Sequence, residues 1–316
     1  MRIGVLTSGG DSPGMNAAIR AVVRAALVKG YTVYGIYDGY KGLVEGNLKK
    51  FTRVDVSETL NRGGTILGTA RLPEFTELEI RNLAIKQLKW HDIDCLITIG
   101  GDGTYRGALA LTEMGINCIG LPGTIDNDIS STEYTIGFST ALNTAVDAID
   151  KLRDTSSSHQ RCSIIEIMGR NCGDLSIYAG ICCGAEYVIT QETGFDKKNL
   201  LESLKANRLE GRKHAIVVVA ENITDVHKLA KEVETHSGYE CRATVLGYIQ
   251  RGGIPTPEDR LLASRMGSYA VDLLEQGEKG VAVGIIDNEI THTKFEDALK
   301  MSKENKGILG IIKKIQ

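Results

Sequence analysis

Apolar, β-branched runs of strand length recur along the chain at Ile3 to Thr7, Thr32 to Tyr37, Cys95 to Ile99, Ser163 to Ile167, Ala215 to Ala220 and Val281 to Ile286. The segments between them repeat their apolar residues with helical period. A strand that is apolar on both faces must be covered on both, and intervening helices are what cover it. The alternation therefore predicts an α/β fold of mostly parallel sheets layered with helices. The clearest helix is the first, where Ile19, Val22, Val23, Ala26 and Leu27 follow the i, i+3, i+4, i+7, i+8 stripe of a core-facing face. Leu142, Ala145, Val146, Ile149 and Leu152 make a second stripe. Thr256-Pro257-Glu258-Asp259 reads as an N-cap, a proline at the first helical position and an acidic third, opening a helix to about Leu274.

At 316 residues the chain exceeds what one core usually holds, which predicts two lobes. No low-complexity linker marks the division, so the start of the helix near Ser139 serves as boundary, giving 1–138 plus 250–303 and 139–249 plus 304–316. A net charge of −3 with 42% hydrophobic and 24% charged residues describes an ordinary soluble globule, not a disordered or nucleic-acid-binding chain. The seven cysteines are odd in number and form no CxxC pair, arguing against a disulfide framework and a zinc site and for reduced thiols in a cytoplasm. The apolar run in MRIGVLT is too short for an export signal, and no run is long enough to span a bilayer. A cytoplasmic protein without membrane contact is expected.

Three glycine-rich turns stand where strands end: SGGDSPG (8–14), GGDG (100–103) and PGTIDND (122–128). Any one could be a plain strand-to-helix turn. Three in successive units favour a phosphate site, because ligands of open parallel sheets bind beyond the carboxyl ends of strands and glycine lets backbone amides approach an anion. Helices following at Met15 and Thr104 would turn their positive ends toward it. GxxxxGK[ST] is absent, and the GxGxxG pattern begun by Gly101 and Gly103 is broken at Arg106, which excludes a P-loop and a dinucleotide fingerprint. Without a P-loop lysine, Mg²⁺ and arginines must meet the phosphoryl charge, with Asp102 the first choice of metal ligand. In LPGTIDNDI, Asp126 suits a general base and Asp128 a metal contact, against the alternative that both are turn residues.

Val5 to Arg20, GGTILGTAR (63–71), GGDGTY (100–105), PGTIDND, RDTSSSHQR (153–161), IMGR (167–170) and LGYIQRGG (246–253) together resemble the bacterial ATP-dependent 6-phosphofructokinases, from Arg2 to about Gly284. The resemblance implies two Rossmann-like α/β/α lobes, the first ATP-binding and the second sugar-phosphate-binding, in a homotetramer whose active and effector sites involve subunit contacts. It implies transfer of the ATP γ-phosphoryl group to the 1-hydroxyl of fructose 6-phosphate, with Mg²⁺, in glycolysis. Asp126 would be the base, with Thr124 and Arg170 stabilising the moving group. Gly10, Tyr40, Arg71, Leu72, Phe75, Gly101, Asp102, Gly103 and Thr104 would hold ATP, and Asp102 and Asp128 the metal. The sugar phosphate would meet Thr124, Ile125, Asp126, Met168, Gly169, Arg170, Glu221, Tyr248 and Arg251, with Arg161 and Arg242 coming from a neighbouring subunit.

The pyrophosphate-dependent relatives carry Asp and Lys at positions like Gly103 and Gly123, so glycine at both implies room for a nucleotide donor. Arg20 and Arg24, like charges at i, i+4 away from the apolar stripe, are either a solvated face or an anion site. With Arg53, Arg153, Gly184, Glu186, Arg212, Lys213 and His214 they match the positions that bind ADP or phosphoenolpyruvate in the family. Two departures stand out: Glu210 where relatives often have a basic residue, and Tyr248 where the family usually has histidine. A nucleotide sensor without turnover would have shed Asp126 or Arg170, and an NAD or lipid kinase of the GGDGT type has no use for PGTIDND with MGR and QRGG.

Overall fold

The computed structural model describes residues 1–302 and 306–315. Its elements in chain order are β1 (Arg2–Thr7), α1 (Met15–Val28), β2 (Thr32–Ile36), α2 (Gly39–Glu45), β3 (Leu48–Phe51), α3 (Leu78–Trp90), β4 (Cys95–Gly100), α4 (Asp102–Glu113), β5 (Asn117–Pro122), α5 (Phe138–His159), β6 (Arg161–Ile167), α6 (Asp174–Cys182), β7 (Tyr187–Ile189), α7 (Lys197–Leu209), β8 (Ala215–Ala220), α8 (Val226–Ser237), β9 (Glu240–Val245), α9 (Pro257–Glu275), β10 (Val281–Ile286), β11 (Glu289–Lys294), α10 (Phe295–Ala298) and α11 (Lys306–Ile315). The chain divides into one unit of Met1–Thr140 with Arg251–Lys303 and another of Ala141–Gln250 with Glu304–Gln316. The crossing from one to the other falls inside the first turns of α5, close to the boundary taken near Ser139.

The first unit holds a seven-stranded sheet in the order β11-β10-β5-β4-β1-β2-β3. Its inner strands pair parallel, while β3 and β11 close the two edges antiparallel. The strand order reverses between β1 and β4, which is the switch point at which such sheets open a ligand crevice. One face of the sheet is packed by α1 and α9. In α1 the expected stripe is the one that is inward: Ile19, Val22, Val23 and Ala26 are fully buried and Leu27 packs partly against the same cluster. Helix α9 begins as its sequence specifies, with the Thr256 hydroxyl accepting from the Asp259 amide and Pro257 in the first turn. The other face carries Leu6, Leu43, Leu88, Leu96, Tyr105 and Phe295 in a second cluster.

The second unit is built on a four-stranded, all-parallel sheet in the order β7-β8-β6-β9. Strand β8, AIVVVA, is buried at every position, as a strand covered on both sides requires. Leu200 and Leu204 of α7 and Val226, Leu229 and Val233 of α8 supply one covering layer. All seven cysteines are free. Among the described residues no helix is long and apolar enough to cross a membrane.

Candidate active site

The three glycine-rich turns follow β1, β4 and β5, which lie side by side in the first unit's sheet. Backbone bonds lace them together: the Ser8 amide donates to the Ile99 carbonyl at 3.0 Å, and the Gly123 amide to the Gly100 carbonyl at 3.1 Å. The Thr104 hydroxyl donates to the Ser8 carbonyl at 3.0 Å and closes the set. Helix α4 starts at Asp102, two residues earlier than its sequence suggests, with Gly101 as N-cap and no side chain capping it. Gly103 is exposed, so the first amides of α4 are open to an anion. Helix α1 differs from expectation. Its first residues, Met15 and Asn16, are 0% and 1% exposed, so its amino end lies under the loops and the open helix terminus is that of α4 alone.

Two buried side chains, Asn16 in the Val5 to Arg20 stretch and Asn127 in PGTIDND, hold these loops in shape. Asn16 donates to the carbonyls of Arg62 and Gly63 and accepts from the Ile66 amide at 2.7 Å, tying the GGTILGTAR segment to α1. Asn127, at φ 53°, donates to the Glu133 carbonyl and accepts from the Thr135 amide at 3.0 Å. The Thr135 hydroxyl donates to the Thr124 carbonyl at 2.6 Å, and the Asp126 amide to the Thr124 hydroxyl at 3.2 Å. Thr124, Asp126 and Asp128 are thereby presented half-buried on a loop fixed from beneath, while Ile125 turns inward. The only sequence hint of this was that polar residues alternate with apolar ones after CIGL.

Gly123 meets a packing constraint beside the one expected of it. A Cβ there would stand 2.9 Å from Ile99 Cγ2 and 3.1 Å from Met15 Cε, so the core below the loop also presses on this position. Gly103 does face open space, with nothing within 4 Å of an added Cβ. Gly10 leaves room for the Arg251 guanidinium, whose Nη2 would lie 2.1 Å from a Cβ at that position. Arg251 also reaches Asp11, with Nε 3.5 Å from the carboxylate. Tyr40 and Phe75 stack at 4.2 Å between ring centroids and are 5% and 6% exposed. The Tyr40 hydroxyl donates to the Thr104 carbonyl at 2.6 Å, and burial pushes its pKa well up, so Tyr40 braces α4 and offers an outside ligand no phenolic proton. Arg71 is exposed and Leu72 half-buried at the start of the short helix Pro73–Thr76.

In the second unit Met168, Gly169 and Arg170 follow β6, and Glu221 follows β8. Oε1 of Glu221 accepts both the Gly169 amide at 3.0 Å and the Arg170 amide at 2.5 Å. This matters because Arg170 sits at φ 58°, a left-handed conformation that a non-glycine residue holds only when its surroundings insist. Glu166, at the end of β6, has its pKa raised by burial and then by the nearby Glu221 charge. Arg161 and Arg242 lie elsewhere in this unit: both engage Glu240, and Arg242 reaches Glu234 as well. Within one chain they occupy the amino-terminal part of the β6–β9 pairing, away from Met168 and Arg170. Tyr248 is 77% exposed in the short helix Gly247–Arg251.

The candidate effector residues fall into separate groups. Arg20 and Arg24 are half-buried on α1; burial, then the Arg24 charge, lowers the pKa of Arg20, and Arg24 Nε is buried without a hydrogen-bond partner. Arg53 is exposed after β3. In the second unit the Arg153 guanidinium donates to the carbonyls of Cys183 and Gly184. Glu186 accepts the Ile216 amide at 2.7 Å, which makes it a structural brace for β8. Glu210, Arg212 and Lys213 are exposed at the end of α7, with His214 half-buried.

The family model described as Phosphofructokinase matches residues 2–274. The chain belongs to the phosphofructokinase family. It is 59% identical over 302 residues to the ATP-dependent 6-phosphofructokinase of Vibrio campbellii, covering 96% of this chain and 94% of that one. It is 60% identical over 299 residues to the protein of the same name from Aliivibrio salmonicida, covering 95% and 93%. Among solved structures it resembles the phosphofructokinase of Saccharomyces cerevisiae, with a TM-score of 0.88 at 34% identity, over 99% of this chain and 46% of that longer chain. A pyrophosphate-dependent phosphofructokinase from Marinobacter aquaeolei shares the fold at a TM-score of 0.85 and 20% identity, over 96% and 85%.

For a family of kinases the fit of a divalent ion can be judged from the donors present. Asp102 stands in the first turn of α4 with its carboxylate 2.9 Å from Arg106 Nε, an exposed i, i+4 pair of the kind a metal displaces at little cost. Among the described residues no three His, Cys, Asp or Glu side chains gather as a ligand cluster. Mg²⁺ takes one or two carboxylates and completes its shell with water and phosphate oxygens, so the Asp102 carboxylate is a donor of the kind that would hold it.

Proposed function

We propose that the protein is an ATP-dependent 6-phosphofructokinase of glycolysis, making fructose 1,6-bisphosphate and ADP from fructose 6-phosphate and ATP. What carries this reading is near-full-length identity to relatives of that name, joined to the lacing of three glycine loops at a sheet switch point. The exposed, unobstructed Gly103 supports a nucleotide donor. Asp126 takes the proton of the attacking 1-hydroxyl, and its half-buried place on a braced loop keeps it within a fixed reach. Thr124 and the loop amides steady the transferring group from one side, and Arg170 supplies positive charge. Asp102 and Asp128 would hold Mg²⁺, which when bound offsets the charge of the phosphate chain. Glu221, Met168 and Arg251 bind sugar phosphate, with Arg161 and Arg242 contributed by a neighbouring copy in a homotetramer.

ADP and phosphoenolpyruvate as effectors fit the partly desolvated Arg20 and Arg24, whose mutual repulsion an anion relieves. A coupled assay of fructose 6-phosphate with ATP, run beside pyrophosphate as donor and NAD as acceptor, tests the reading. Turnover with ATP and the sugar phosphate alone is the expected result. Turnover on NAD, or none with any pair, would overturn it.

A further inference from the structure

Cys162 and Cys241 stand opposite one another on β6 and β9, paired in register as the second residue of each strand. Residues that share a rung of a sheet point to the same face. Neighbouring strands lie about 4.8 Å apart, inside the range of about 4.4–6.8 Å between Cα atoms that a disulfide spans. Both thiols are free, at 0% and 3% exposure, and both belong to the apolar cluster shared with α7 and α8. A single thiol in such a place is ordinarily an inert core group. Here each has the other as its polar neighbour. A hydrogen bond with Cys241, then burial, pushes the Cys162 pKa well up, so Cys162 keeps its proton as the donor of that bond. The pair also lies where the sheet opens most easily, because β9 is an edge strand and Cys241 is next to its end.

We propose that Cys162 and Cys241 are a redox modification site that hydrogen peroxide closes to an intrachain disulfide. The Cys241 sulfur attacks one peroxide oxygen and the O–O bond breaks. The departing oxygen leaves as water with the Cys241 proton, and Cys241 becomes a sulfenic acid. The Cys162 sulfur then attacks the Cys241 sulfur, and the S–O bond breaks to release a second water that carries the Cys162 proton. Two thiols are oxidised to one disulfide, and one peroxide is reduced to two waters. A disulfide brings its Cβ atoms to about 3.8 Å, roughly 1 Å closer than the spacing of two strands, so the bond draws β9 toward β6 at this rung. Strain of that kind leaves the bond easy to reduce, as a reversible modification requires. The rungs on either side carry arginines, Arg161 opposite Glu240 and Arg242 opposite Ser163, and Glu240 pairs with both guanidiniums. Closure therefore shifts both. On the proposed function, in which these arginines reach the sugar phosphate of a neighbouring copy, the oxidised form binds that substrate more weakly.

The test is to treat the full chain with hydrogen peroxide, block the remaining thiols, and digest it without reduction. Mass spectrometry should find the peptides of Cys162 and Cys241 joined, and dithiothreitol should separate them. Cys162 and Cys241 recovered only as blocked or singly oxidised thiols would overturn the proposal. In the coupled assay the joined form should show a KM for fructose 6-phosphate raised several-fold, with KM for ATP unchanged and full recovery in dithiothreitol. Cys162→Ala and Cys241→Ala should each abolish that response, while Cys172→Ala and Cys182→Ala, at the more exposed thiols, should keep it. An equal KM in both redox forms, or a response lost with Cys172 or Cys182 instead, would overturn the link to Arg161 and Arg242. The crosslink is read by mass without turnover, so a reduced protein that turned over no sugar phosphate would count against the proposed activity and not against the cysteine pair.

Discussion

Replacing Asp259 by alanine should destabilise the first unit by about 2–5 kcal/mol although Asp259 is not among the substrate-binding candidates. Asp259 is 1% exposed in the first turn of α9. Its Oδ1 accepts the Gly137 amide at 2.8 Å, and its Oδ2 accepts the Thr140 amide at 2.7 Å and the Thr140 hydroxyl at 2.5 Å. The side chain thus caps α5, a helix that begins more than a hundred residues earlier in the chain. Alanine strands two buried amides, each worth roughly 1–3 kcal/mol when left unpaired, while the hydroxyl can reorient. Part of the loss is offset because the buried charge is itself unfavourable, as its raised pKa records, with desolvation the largest cause. The raised folded pKa also fixes the sign with pH. The group's contribution is fully present below the unfolded carboxyl value near 3.9 and is lost as pH rises through the folded value. Asp259→Asn keeps an acceptor and removes the charge, so it should lose less stability than alanine and lack that decline. Urea unfolding across pH, with hydrogen exchange at the Gly137 and Thr140 amides, measures both. A loss below about 1 kcal/mol for alanine, or an identical pH slope for asparagine and the parent, would refute the capping account.

At the reacting centre, Asp126→Ser should leave KM for both substrates nearly unchanged while kcat falls by about two to four orders of magnitude, and a fall under about tenfold would remove Asp126 from the role of base. Gly103→Asp should fold normally, since the position is open, and should impair use of ATP far more than use of pyrophosphate; equal loss with both donors would show that the added carboxylate does not oppose a nucleotide phosphate. Tyr248→His should lower KM for fructose 6-phosphate several-fold at about pH 6.5, with the gain shrinking toward about pH 8.5 as imidazole deprotonates and kcat little changed. The exposed setting of Tyr248 leaves room for the exchange, and an unchanged or higher KM across that range would mean that no phosphate lies beside it.

Strands that are apolar throughout were legible because burial on both faces leaves only one kind of residue acceptable, as in β4 and β8. Strands β3, β9 and β11 escaped the pattern: LKKF, ECRATV and EITHTK lie at sheet edges with much of their surface exposed, so their pairing is set by neighbours and not by their own composition. The same distinction runs through the site. The residues proposed to meet phosphate stand out by glycine spacing and alternating carboxylates, because that chemistry would constrain their type. Asn16 and Asp259 hold the loops through hydrogen bonds to partners 46 and 122 positions away, and no local window contains both ends of such a bond. Gly123 shows a constraint that the sequence hides, since Ile99 and Met15 beneath it crowd any added Cβ. Arg161 and Arg242 add a third kind of limit. Their arginine character suits a dianion, but the fold sets both on Glu240, whose pKa they lower, Arg161 most strongly. On the proposed function an incoming sugar phosphate would compete with a carboxylate already in place, so the affinity these arginines could contribute is the difference between two ion pairs and not the strength of one.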